Sequence, residues 1–384
     1  MSGSMLRNQQ RRSLGPMSKP ISFARGAPSL DIIDVDGLRA SADQAFTADP
    51  AGMTAYGTSV GYIPLRQWIA EWHGVDVKQV LVTNGSMQAD AFLFDALVQA
   101  GDAVIVERPT YDRTLLSLRG RGADVRMVEL EPDGIDVAAV ERVLAAGVRP
   151  KLAHIIPNFQ NPAGYTLSLS KRERLLALAR EHGFTIFEDD PYVALRFEGE
   201  SLPTMLSLHG DSVVYASSFS KTVCPGIRVG YLVGPEPLIA RVAKIATGTY
   251  ISPSMVSQGI VHQFCRSGAL ERSIETVKAA LGERARTLSE ALRREFPDAR
   301  FVDPQGGYFM WVELPRGTDV DALFDAAAER GVQFVKGSDF VLDGGEASLR
   351  LAYSGVTPEE IDEGVKRLAG AYEQIRSAPA GAAA

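Results

Sequence analysis

The chain has 384 residues, 45% of them hydrophobic and 23% charged, a balance that fits a folded soluble protein and excludes disorder, collagen and coiled-coil arrays. At about 150 residues per domain the length suits two or three domains. Forty-seven acidic against forty basic residues leave a net charge of −7, which is no footprint for nucleic acid or for a membrane surface.

Residues 1–20 carry basic but no acidic side chains and lack the apolar run of an export signal, so a mobile N-terminal arm is expected there. No window approaches eighteen consecutive apolar residues, so no membrane-spanning helix is expected. From QVLVTN (79–84) onward, short apolar runs alternate with amphipathic stretches. The helix expected in SMQADAFLFDALVQA (86–100) is followed by AVIVE (103–107). LAHIIP (152–157) precedes SKRERLLALAREHG (170–183), where Ser170 and Glu173 have capping-box spacing and Gly183 is a stop. FTIFED, SVVYAS and RVGYLVG follow. Strands apolar on both faces, interleaved with helices, predict a mostly parallel sheet covered on both sides. From residue 269 a long Arg- and Glu-rich helix, then YFMWVEL and SLRLAYS, read as a smaller α+β domain. The expected division is 21–50 as the N-terminal part of the small domain, 51–268 as the large domain, 269–375 as its C-terminal companion, and 376–384 as a frayed tail.

Several strand ends carry residues suited to chemistry. In SSFSKTVCPGIRVGY (217–231), Lys221 follows a strand, with hydroxyls at Ser218 and Ser220 and a guanidinium at Arg228. A lysine at the carboxyl end of a parallel strand faces the ligand crevice and can form an imine with an aldehyde, while hydroxyls and a guanidinium suit a phosphate. The alternative is a solvated surface lysine. In TNGSMQA (83–89), Gly85 allows a close turn, and Ser86 and Met87 head a helix whose N-terminal N–H groups attract anions; the same pattern also serves as an ordinary turn and cap. In FEDDPY, strand alternation sets Asp189 on the face opposite Glu188 and Asp190, with Tyr192 close behind. Asn161 precedes Pro162, which restricts its backbone and fixes where its amide points. Tyr111 can lay a ring into the crevice, Tyr56 lies in a glycine-punctuated loop, and Arg350 is a lone arginine between leucines. Cys224 and Cys265 show no CxxC spacing and the five histidines are scattered, so no metal site is expected and a reducing, cytoplasmic setting fits.

In this order, YGTSVGYIPLR, TNGSMQA, ERPTYDR, PNFQNPAGYTLS, EDDPY, SSFSKTVCPGIRVGY and SLRLAYS resemble the class I/II aminotransferases of pyridoxal-phosphate fold type I. The likeness is closest to the branch of 2-aminoadipate and kynurenine aminotransferases and to the effector domains of MocR-type regulators. The resemblance implies pyridoxal 5′-phosphate as cofactor and transfer of an α-amino group from an L-amino acid to a 2-oxo acid. Lys221 would form the internal aldimine and move the proton that leads through a quinonoid. Asp189 would pair with the ring nitrogen, Asn161 and Tyr192 with the phenolic oxygen, and Tyr111 would stack on the ring. Gly85, Ser86, Met87, Ser218, Ser220 and Arg228 would hold the phosphate, with Tyr56 reaching it from the other subunit of a homodimer. Arg350 would clamp the substrate carboxylate together with Asn161 and Gly26. Two positions depart from the family: Met87 stands where relatives commonly carry Gln, and Arg25, in ISFARGAPS, stands where a small residue is frequent, which suggests contact with an acidic or polar substrate group. The same lysine and aspartate would also serve elimination, replacement or carbon–carbon bond formation. A ligand sensor of the MocR type is disfavoured because no DNA-binding element is expected in the arm.

Overall fold

The structure, a computed structural model, describes residues 19–377. Eight strands form the central sheet, in the spatial order Val80–Thr83, Gly230–Val233, Val213–Ser218, Thr185–Asp189, Leu152–Ile155, Ala103–Arg108, Asp124–Glu131 and Gly134–Ile135. The five strands from Val213–Ser218 to Asp124–Glu131 run parallel. Gly230–Val233 and Gly134–Ile135 are antiparallel to their neighbours, so both flanks depart from the parallel rule.

Period-two alternation along each strand feeds two separate cores. Val80, Val82, Ile105, Ala153, Ile155, Ile186, Val213 and Tyr215 pack on one face, with Ile69, Leu175 and Phe264 from covering helices. Leu81, Val104, Val106, Leu152, Phe187, Val214 and Leu232 pack on the other, under the helices Ser86–Leu97 and Glu236–Tyr250. Every residue of Val80–Thr83, Leu152–Ile155, Val213–Ser218 and Gly230–Val233 is buried, which explains their unbroken apolar runs.

The helix Leu169–His182 begins one residue before the expected cap: Ser168 is the extended residue at its head and Ser170 lies inside the first turn, so the capping box of Ser170 and Glu173 does not form. Ser168 instead spends its hydroxyl on Asp133, 3.1 Å away. Gly183 ends the helix in the left-handed region, φ 73°.

A third core belongs to the small domain, where Phe309–Glu313, Ser348–Ala352 and Val335–Lys336 form an antiparallel sheet. Both ends of the chain contribute. Ile21–Ser22 pairs in parallel with Val332–Gln333, and Ile21, Phe23 and Ile32 join this core. The chain leaves it earlier than residue 50: Leu38, Ala45 and Met53 pack into the large-domain core, because the helix Val35–Ala48 lies against Met255–Arg266. The 27-residue helix Ala269–Glu295 ties the two domains together, with Ala269 and Leu270 in the large core and Val277, Leu281, Leu288 and Leu292 in the small one. Buried Arg284 on that helix donates to the Ser354 carbonyl (2.7 Å), Asp31 (2.7 Å) and Ser29 (2.9 Å), pinning the N-terminal segment beside the strand that carries Arg350.

Candidate active site

Between Ala103–Arg108 and Leu152–Ile155 the direction of winding reverses, since the chain first adds Asp124–Glu131 on one side and later strands on the other. Such a switch point opens a crevice beyond the carboxyl ends of the strands. A cavity of about 490 Å³ lies there, lined by Ser86, Met87, Tyr111, Asn161, Asp189, Tyr192, Ser218, Ser220, Lys221, Arg228 and Arg350 among others. Residues far apart in sequence thus meet at one place.

At one end the helix Ser86–Leu97 points its N-terminus into the cavity. Two glycines let its head approach the strand Gly230–Val233. Gly85 has φ 90°, and a Cβ there would sit 2.1 Å from Arg228 Nη2; a Cβ on Gly230 would sit 2.4 Å from the Ser86 nitrogen. Arg228, itself left-handed at φ 51°, donates to the Asn84 carbonyl (3.2 Å) and Ser220 Oγ (3.5 Å). Ser218 Oγ donates to Ser220 Oγ at 2.9 Å. Helix N–H groups, two hydroxyls and a guanidinium make a cradle for a phosphate. Gln88 does not add its N–H, which is held by the Gly85 carbonyl (3.1 Å). Met87 is half exposed, its sulfur 3.8 Å from the Tyr111 hydroxyl.

At the end of Thr185–Asp189 the three acids separate as alternation predicts. Glu188 is buried and accepts from the Met205 and Leu206 N–H groups (2.7 and 2.9 Å); burial pushes its carboxyl up to about 7. Asp190 accepts from Asn158 Nδ2 (2.7 Å), and Asn158 in turn accepts from fully buried Arg172 (2.9 Å), so this network fixes the loop that carries Asn161. Asp189 alone lines the cavity, and His154 Nε2 stands 3.3 Å behind its carboxylate.

Lys221 is partly buried, with Nζ donating to the Gly26 carbonyl (2.6 Å) and lying 5.0 Å from the Tyr308 ring and 5.6 Å from the Tyr192 ring. Burial, then the nearby Arg350 charge, lowers its ammonium to about 8. Buried Arg350 is sandwiched between Phe309 (4.3 Å) and Phe340 (4.9 Å). It donates to Asn161 Oδ1 (3.0 Å) and the Ala24 carbonyl (2.7 Å), while its Nε has no partner among the described residues. Because Asn161 accepts with its oxygen, its amide nitrogen is left as the donor. Burial holds the Tyr192 phenol well above its usual range, so it stays a donor too.

Three expected site residues lie off the cavity. Gly85 serves underneath, by giving Arg228 room. Tyr56 is 87% exposed on the surface of the single chain. Arg25 is exposed and does not line the cavity, contrary to the expected substrate contact: Ala24 and Gly26 line it, while the chain turns at Arg25, whose carbonyl accepts from the Ala27 N–H (3.0 Å). Sequence reasoning missed His154, Asp90, Phe309 and Phe340. Only His154, in the strand LAHIIP beside Asp189, carried a signal, a polar residue inside an otherwise apolar strand.

The profile of the family "Aminotransferase class I and II" matches residues 19–368. The chain is 35% identical over 361 residues to the 2-aminoadipate transaminase of Thermus thermophilus, spanning 92% of this chain and 90% of that protein. It is 31% identical to the aromatic-amino-acid aminotransferase 1 of Thermococcus litoralis, over 92% of this chain and 88% of the other. Among solved structures, the alpha-aminoadipate aminotransferase of Thermus thermophilus, complexed with N-(5'-phosphopyridoxyl)-L-leucine, superposes with a TM-score of 0.89 at 34% identity, covering 93% of each chain. The residues present fit pyridoxal phosphate: the glycine-formed cradle suits its phosphate, an amine of lowered basicity suits its aldehyde, and a buried carboxylate suits its ring nitrogen. The profile match over residues 19–368, with relatives and a solved structure alike over nine-tenths of the chain, makes this chain a member of the class I and II aminotransferases, a pyridoxal-phosphate-dependent enzyme.

Proposed function

We propose that the enzyme moves the α-amino group of a bulky L-amino acid to a 2-oxo acid, with Lys221 as the amine that holds the cofactor and carries the proton. The observation that carries this reading is that Lys221, Asp189 and Arg350 all face one cavity. Bound pyridoxal phosphate supplies an electron-withdrawing ring that delocalises charge from the substrate α-carbon.

The chain's own residues supply the rest. Ser86, Ser218, Ser220 and Arg228 would anchor the phosphate, and Asp189, with His154 Nε2 3.3 Å behind its carboxylate, would pair with the ring nitrogen. Asn161 Nδ2 and the Tyr192 hydroxyl would donate to the phenolic oxygen, and Tyr111 would lie against the ring. Arg350 takes the substrate carboxylate on its free Nε edge while Phe309 and Phe340 keep water off the guanidinium. That clamp would turn the substrate α-hydrogen toward Lys221 Nζ, whose free amine would be the base that takes it. Lowered basicity suits this work, because at pH 7.5 an amine of pKa about 8 is about one-quarter neutral, whereas an ordinary lysine is neutral in only about one molecule in a thousand.

The aromatic and aliphatic lining from Tyr111, Ile156, Phe309, Val335 and Phe340 supports an aromatic or long aliphatic substrate side chain, in line with the names of the relatives above. We further infer a homodimer in which exposed Tyr56 reaches the partner's phosphate cradle, and a cytoplasmic setting in keeping with the free thiols of Cys224 and Cys265. The test is a half-reaction. Holoenzyme mixed with single amino acids should lose its aldehyde-form absorbance with aromatic and long-chain donors, and a 2-oxo acid should restore it. Lys221→Ala should bind cofactor without turnover, and borohydride should no longer fix cofactor to the protein. Turnover in that variant, or no response to any amino acid, overturns the reading.

A further inference from the structure

Two acids on the cavity wall have no part in the roles above. Asp112 opens the helix Asp112–Gly120 directly after Tyr111, and Asp339 lies in the short helical turn Gly337–Phe340 directly before Phe340. All four residues line the cavity. The two segments are fastened to each other, because the helix packs against the turn and the Thr110 N–H donates to the Phe340 carbonyl at 3.0 Å. Acids distant in sequence therefore share one rim of the cavity.

The protein leaves both carboxylates largely open to a ligand. Asp339 is exposed, and the cations near it in the chain or in space are engaged elsewhere. Lys336 turns away to Asp321 (2.6 Å) and the Phe324 ring, and Arg108 holds Glu129 (3.4 Å) and Asp343 (3.5 Å). Asp112 meets Arg113 at 3.4 Å, where the arginine side chain is more than half exposed, an arrangement worth little in water. The head of a helix is a common place for an acid, so Asp339 is the more telling of the two.

An independent observation fixes where a ligand lies beside them. Arg350 is 7% exposed, lines the same cavity, and keeps its Nε without a partner among the described residues. Val335 is its register partner in the sheet, and Phe340 covers it at 4.9 Å, so apolar surface leads from this guanidinium to the rim. Burial lowers the basicity of Arg350, and Tyr192, Asp112, Tyr111 and Asp339 counter it, in keeping with both carboxylates standing within electrostatic reach. Once a substrate carboxylate occupies Arg350, that cation no longer balances the rim. An acidic side chain would then meet two like charges, whereas a cationic one would find partners while its methylene stem lies on apolar surface. Arg25, expected to meet an acidic group, lies off the cavity and offers no counterweight.

We propose that Asp112 and Asp339 select the substrate: the pocket favours L-amino acids whose long side chain ends in a cation and disfavours those that end in a carboxylate. The proposal rests on the reading in which Arg350 takes the substrate carboxylate, and it narrows that reading to one substrate class.

Lysine, norleucine and 2-aminoadipate share one carbon-chain length and end in an ammonium, a methyl and a carboxylate group. The second-order rate constant of each half-reaction with holoenzyme, read from loss of the aldehyde-form absorbance, should fall in that order. Asp339→Asn keeps the shape and removes the charge, so the lysine-to-norleucine ratio should fall about fivefold and the 2-aminoadipate-to-norleucine ratio should rise by as much, the upper end for a partly exposed ion pair. Asp112→Asn should move both ratios the same way. Added salt should shrink the lysine advantage of the wild type, a readout that needs no variant. Ratios that stay within about twofold in both variants and in salt overturn the proposal, as does a wild type that prefers 2-aminoadipate to norleucine. Norleucine and aromatic donors still converting the cofactor in that case would leave the transamination reading intact; silence with every donor would instead refute that reading, and the proposal with it.

Discussion

Replacing Gly230 by alanine tests whether the phosphate cradle depends on the close approach of a strand to a helix head. Gly230 is the first residue of its strand, and an added Cβ would lie 2.4 Å from the Ser86 nitrogen and 2.5 Å from the Gly85 carbonyl carbon. Ordinary contact begins near 3.4 Å, so the loop must retreat by about 1 Å, and both obstructing atoms are backbone that cannot rotate aside. Such overpacking costs about 1–3 kcal/mol, and the retreat carries the Ser86 N–H away from the phosphate. Losing one hydrogen bond to a charged group costs about 1.5–3 kcal/mol. The cofactor dissociation constant should therefore rise about ten- to a hundredfold, since each 1.4 kcal/mol is about a factor of ten. Absorbance titration of apoprotein with pyridoxal phosphate reads this directly. Gly226→Ala is the control: it lies in the same segment, yet a Cβ there meets no atom within 4 Å, so affinity should stay at the wild-type value. Cofactor binding by Gly230→Ala within twofold of wild type would refute the cradle geometry.

Two further outcomes follow from the same site. Lys221 must be neutral to capture the cofactor aldehyde, and its lowered basicity means the capture rate should climb with pH to a plateau just above about 8; Arg350→Gln removes a positive neighbour, so the midpoint should move to higher pH, and an unmoved midpoint in stopped-flow traces would contradict the electrostatic account. Met87 brings only a thioether to the head of the cradle, so Met87→Gln, which adds an amide donor, should tighten cofactor binding several-fold in equilibrium titrations; unchanged or weaker binding would show that no donor is missing there.

Elements buried on both faces were legible because their composition leaves few alternatives: VVYAS and LAHI read as interior strands and are so. The antiparallel setting of Gly230–Val233 was not, since a strand buried on two faces looks the same in either direction. The capping motif at Ser170 failed because Ser168 and Asp133, distant in sequence, bond each other and move the helix start by one residue. Asp189, Lys221 and Arg228 stood out at or just beyond strand ends, Asn161 by the proline that follows it, and Arg350 as a charge between leucines inside a strand. Asp90 gave no such signal, for an acid on an amphipathic helix ordinarily faces water, and only the fold turned it inward.

What the sequence by itself determined, then, was local: the strand and helix periods, the residues that carry chemistry, and, through their order, the family. Those features depend on neighbours within a few residues. Which groups share a cavity was decided by tertiary structure alone. Arg350 meets Asn161 across 189 positions and Lys221 meets Gly26 across 195, because the sheet reverses its winding and a long helix locks both chain ends over the crevice. The same enclosure sets the charges. Water screens a lysine on an open strand end, whereas burial beside the Arg350 charge makes Lys221 a usable base.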